Sequence, residues 1–202
     1  MEFGPNGVVI GEGRTTAPAQ IERVKLGVFL SGLTASAAVA LAGVLGIFLV
    51  ALAGRIGLPA GEALYDAPFW QGVFTAFGLS ALNWILFFFT VPSAWLGLGL
   101  ALGRLPHNRV TKPGPYFKRG ALAGAIVVCL FTGVFGLAAA GPSDLADIGN
   151  DAAFVPPIAQ ILGGAVIGGL ITGALGGAAS AGVFRLVVRP AAQIKTFAVD
   201  VF

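Results

Sequence analysis

Apolar and polar positions divide this chain into blocks rather than stripes. Leu26–Gly54, Ala67–Gly103, Gly120–Ser143 and Ala152–Phe184 contain no Asp, Glu, Lys or Arg. Each block exceeds the ~20 residues that carry a helix across a ~30 Å hydrocarbon core. Backbone N–H and C=O groups find no water there and must bond within the segment, so each block predicts a helix. The pattern therefore predicts an all-α, polytopic membrane protein, a bundle of four transmembrane helices with glycine-rich close packing. The expected boundaries are a tail over 1–25, a membrane domain over 26–188 with helices at 26–53, 69–103, 120–140 and 156–186, and a tail over 189–202.

Two blocks have a character of their own. The second is aromatic and holds all three tryptophans, Trp70, Trp84 and Trp95. It is longer than a bilayer core requires, so its helix is expected to tilt or bend, with Pro92 as the kink because proline removes one helical hydrogen bond. The fourth block carries Ala165, Gly169, Gly173, Gly177 and Ala181 at four-residue intervals. A second file, Gly164, Gly168, Thr172, Gly176 and Ser180, runs one residue ahead. Residues four apart on a helix lie one above the other, so these files predict a strip nearly free of side chains. Such small-xxx-small faces let another helix approach closely. Gly120 and Gly124 give the third helix a shorter version of the same face.

Charge sets the orientation. Arg14, Arg23 and Lys25 precede the first block, and Arg104, Arg109, Lys112, Lys118 and Arg119 lie between the second and third. Arg185, Arg189 and Lys195 close the chain, while the other two loops share Arg55 alone. This bias places both termini in the cytoplasm. The Ala, Gly, Val and Arg usage suggests a bacterial inner membrane, with an organellar inner membrane as the alternative. The five basic residues of the 104–119 loop are expected to meet anionic headgroups, at ~1 kcal/mol each. The formal charge of +3 is then a topology signal, and no nucleic-acid partner is expected.

Candidate chemistry is sparse. His107 is the only histidine, Cys129 the only cysteine and Met1 the only methionine. Axial haem ligation, a clustered metal site and a nucleophile–histidine pair at membrane depth each need more than this. Asp144, Asp147 and Asp151 read as a solvated acidic loop. Asn83 is the notable polar residue inside a block, expected to bond across a helix interface, with substrate contact as the alternative. The resulting expectation is no enzyme, but a non-catalytic accessory or structural subunit of a multisubunit membrane complex, energy-converting or otherwise. Its partners would be membrane lipids and other membrane subunits. No cofactor is predicted, although a bound lipid, hydrophobic pigment or quinone is compatible with the apolar blocks. The alternative is a small self-associating transporter or channel with its pathway along the glycine files.

Overall fold

The computed structural model describes residues 18–55, 67–105, 112–139 and 155–188. Both tails, His107, Arg109 and the Asp144–Asp151 segment lie outside these residues. Among the described residues every regular element is helical: α1 (Pro18–Arg55), α2 (Pro68–Ala81), a 3-10 turn (Leu82–Trp84), α3 (Phe87–Leu102), α4 (Gly114–Ala139) and α5 (Val155–Val188). Three helices are long and apolar enough to cross a membrane, over Glu22–Ala53, Gly114–Ala138 and Ile158–Val188. A shorter apolar helix covers Thr90–Leu102.

The second apolar block departs from expectation. It forms two helices instead of one, and the interruption falls at Leu82–Leu86, upstream of Pro92. Pro92 lies inside α3 with its ring exposed. The backbone stays bonded through the break: Ile85 N–H and Leu86 N–H both donate to Leu82 O, at 2.8 and 3.1 Å, and Thr90 N–H donates to Leu86 O at 3.1 Å. Leu86 leaves helical geometry at φ −83°, ψ 10°. With these three donors paired, the break costs little backbone hydrogen bonding.

The third helix also begins earlier than expected, at Gly114 rather than Gly120. Pro115 lies in its first turn, where a missing N–H leaves nothing unpaired. Tyr116 N–H and Phe117 N–H donate to Pro113 O at 3.0 and 3.2 Å. Lys118 and Arg119 consequently sit on the helix instead of in the loop, and both are exposed.

Small residues lie inside this bundle and large apolar ones outside. Ser31, Ala40, Ala76, Ala165 and Ala181 are buried, whereas Phe48, Leu49, Phe88, Leu130 and Leu186 are exposed. In water that arrangement would be costly. In lipid a leucine gains little by moving inward, so close backbone approach becomes the organising contact.

α5 is the helix on which α1, α2 and α4 pack. Adjacent residues on a helix are about 100° apart, so its two small-residue files face different neighbours. The file that begins at Gly164 meets α2 and α1. A Cβ at Gly164 would strike Phe69 O and lie 2.8 Å from Val73 N, one at Gly168 would lie 2.7 Å from Ala76 Cβ, and one at Gly176 would strike Val39. The file that begins at Ala165 meets α4. Gly169 faces Thr132 and Cys129, Gly173 faces Gly124 and Val128, and Gly177 faces Gly120. Ala165 receives Gly136, and Ala181 receives Gly120. The strip is thus occupied by helices of the same chain.

Polar side chains reinforce these seams. Thr132 Oγ1 donates to Ala165 O at 3.0 Å, and Ser80 Oγ bonds Thr172 Oγ1 at the same distance. Trp95 Nε1 donates to Phe29 O at 3.1 Å, with the two rings stacked at a centroid separation of 5.2 Å.

Candidate functional site

Two apolar clusters close the bundle at its ends. At one end Leu98, Leu102, Leu105, Tyr116, Phe184 and Val188 gather, with Val24 and Val28 against them. The start of α1, the end of α3, the start of α4 and the end of α5 therefore share that end. It is also the basic end: Arg23, Lys25, Arg104, Lys112, Lys118 and Arg119 are all exposed there. At the other end Val50, Val73 and Phe77 pack together.

Between these ends the helix break leaves a cavity of about 420 Å³. α3 touches α5 only slightly, because the chain turns at Leu82–Leu86 and α3 continues against α1 and α4. Leu79, Leu98, Val128 and Phe131 supply apolar wall, and Gly97, Gly124 and Gly173 leave room that side chains would fill. The volume lies within the ~300–1,000 Å³ of small-molecule sites, which combine apolar walls with a few placed polar groups.

Those polar groups come from the second block and from α1. Asn83 lines the cavity and is 6% exposed. Its Nδ2 donates to Ser36 O at 2.8 Å, which ties the break to α1. Ser36 Oγ in turn bonds Thr90 Oγ1 at 3.3 Å, and Thr90 Oγ1 also reaches Phe87 O at 3.4 Å. Asn83 lies within the break and Thr90 beyond it, yet both converge on Ser36 of α1. An unbroken helix would carry them apart, since seven residues span almost two turns and rise about 10 Å.

The residues singled out from sequence sort into three places. Asn83 lines the cavity, Pro92 stands just outside on the exposed side of α3, and Arg104, Lys112, Lys118 and Arg119 mark the basic end. The α5 files divide between the α4 seam and the α1 and α2 seams, and Gly173 and Gly177 also border the cavity. Ser36, Ser80 and Thr90 share the cavity wall with Asn83. Their signal was the recurrence of small polar residues inside apolar blocks, which becomes a cluster only when α1 is laid against the break. Among the described residues no group of three His, Cys, Asp or Glu could hold a metal. No protein-family model, no curated protein and no solved structure matches this chain.

Proposed function

We propose that this chain is a four-span integral membrane protein of a bacterial inner membrane, with α2, the 3-10 turn and α3 together making the second span. It acts as a non-catalytic accessory subunit of a multisubunit membrane complex and holds a small lipophilic molecule at the helix break. The basic end faces the cytoplasm, as the positive-inside bias requires. The observation that carries this reading is the cavity: apolar walls, one deeply buried amide, and an origin in the break itself rather than in loose packing. The glycine files lend less to a rival transporter reading, because α1, α2 and α4 of the same chain cover them. A pathway along them would require the bundle to separate.

The test fills the cavity. A Cβ at Gly97 would lie 3.6 Å from Val127 Cγ2, an ordinary contact that meets no backbone, so Gly97→Phe adds bulk at the cavity wall that Gly97 forms. Gentle detergent extraction of the wild type should bring out other polypeptides and a bound lipophile detectable by native mass spectrometry. Gly97→Phe should keep the polypeptides and lose the lipophile. The reading fails if the protein extracts alone as a homo-oligomer that moves solute in liposomes, or if both variants carry the same small molecule.

A further inference from the structure

The amide of Asn83 can be oriented from chemistry alone. Its contact with α1 is to Ser36 O, a carbonyl, which can only accept. The NH₂ group must therefore face α1, leaving Oδ1 as the free end of the amide. Among the described residues Oδ1 accepts no hydrogen bond, and it is not sealed from the cavity. The neighbouring hydroxyls do not meet its need. Ser36 and Thr90 bond each other, and Ser80 is engaged with Thr172. An acceptor held in an apolar enclosure without a donor is costly, so this cavity is better filled by a molecule that brings one.

The mouth of the cavity tells which molecules reach it. Ser93 on α3 and Val127 on α4 both line the cavity and are both exposed, so it opens between these two helices. Val127 lies midway along Gly114–Ala139, which places the opening at the middle of the apolar span, facing hydrocarbon. A charged or zwitterionic headgroup is expensive at that depth. Neutral, lipid-soluble molecules are already there.

We propose that the cavity binds a small lipid-soluble alcohol or phenol, which enters from the bilayer between α3 and α4 and donates its hydroxyl proton to Asn83 Oδ1. The inference rests on the lipophile-binding reading above and adds the chemistry of the ligand. An acceptor prefers a hydroxyl over the corresponding ether, ketone or hydrocarbon of similar shape. That preference separates this inference from simple greasy occupancy.

The experiment uses the full chain in phosphatidylcholine nanodiscs. Its probes are a brominated alkylphenol and the methyl ether of the same compound, both of which quench tryptophan at short range. Trp84 is next to Asn83 in the chain, so occupancy should give a saturable component above the linear quenching from lipid. The phenol should bind about tenfold more tightly than its ether, the effect of one hydrogen bond to a buried acceptor. In Asn83→Leu that preference should fall to within about twofold, because the acceptor is gone while the walls remain. Should Asn83→Leu not fold, Gly97→Phe carries the test and should remove the saturable component for both probes. Equal affinity of phenol and ether in the wild type would overturn the hydroxyl inference and leave lipophile binding standing. Saturable quenching that survives Gly97→Phe, or its absence with both probes in the wild type, would overturn both.

Discussion

Replacing Gly173 with alanine adds one methyl group where the backbones of α4 and α5 meet. A Cβ there would strike Gly124 O, lie 2.8 Å from the Gly124 carbonyl carbon and lie 2.9 Å from Val128 Cβ. The first two are backbone atoms of α4, so no rotamer change relieves them. Restoring ordinary carbon contacts of ~3.5–4.0 Å means separating the helices by about 1 Å. Such a gap forfeits a quarter to a half of each facing dispersion contact. If the seam holds about as many contacts as one buried leucine, 40–60 at 0.1–0.2 kcal/mol, the loss is about 1–6 kcal/mol. Overpacked cores commonly lose ~1–3 kcal/mol. Alanine returns up to ~1 kcal/mol of helix propensity in water, and less where the unfolded segment is already helical in lipid. Strain therefore wins, and Gly173→Leu should be worse than Gly173→Ala. The lone thiol reports the separation directly, since Cys129 is half-buried on the same seam, with its Cα 3.0 Å from where a Gly169 Cβ would stand. Thermal unfolding in mild detergent should shift down and maleimide should reach Cys129 faster. Ala179→Leu, at an exposed α5 position, is the matched control and should change neither. Unchanged melting and unchanged thiol reactivity in Gly173→Leu would refute the intramolecular placement of the strip.

Two further outcomes follow from the seams and the ends. The Ser80–Thr172 bond joins α2 to α5, so a double-mutant cycle of Ser80→Ala and Thr172→Val should show coupling of ~0.6 kcal/mol and not above ~1.7 kcal/mol. A coupling of zero would mean that the two hydroxyls are satisfied separately. Lys112 is exposed at the basic end, so Lys112→Cys in a Cys129→Ala background should resist an impermeant maleimide in intact cells and react once they are opened. Labelling from outside intact cells would invert the proposed topology.

Much of this architecture was legible in the sequence because lipid simplifies the problem. A charge-free block longer than a bilayer core has few alternatives to helix. The bounds of α5 follow closely from the prolines near its ends, whereas α1 starts at Pro18, eight residues before its charge-free block, and carries Glu22, Arg23 and Lys25. The α5 files were equally visible, since four-residue spacing maps onto a face without any knowledge of what the face meets. What the files meet was not visible. A one-residue offset turns a helix face by about 100°, and only the positions of α1, α2 and α4 decide that one file serves α4 while the other serves α1 and α2. The break in the second block was likewise outside the reach of local rules. Pro92 is the strongest local breaker there, yet the chain turns at Leu82–Leu86, where no glycine or proline stands. The gain that selects this point is tertiary: breaking there brings Asn83 to Ser36 O and Thr90 to Ser36 Oγ. Composition could place an amide in the membrane, but only the packing of a distant helix could decide which end of that amide was used and which was left facing a cavity.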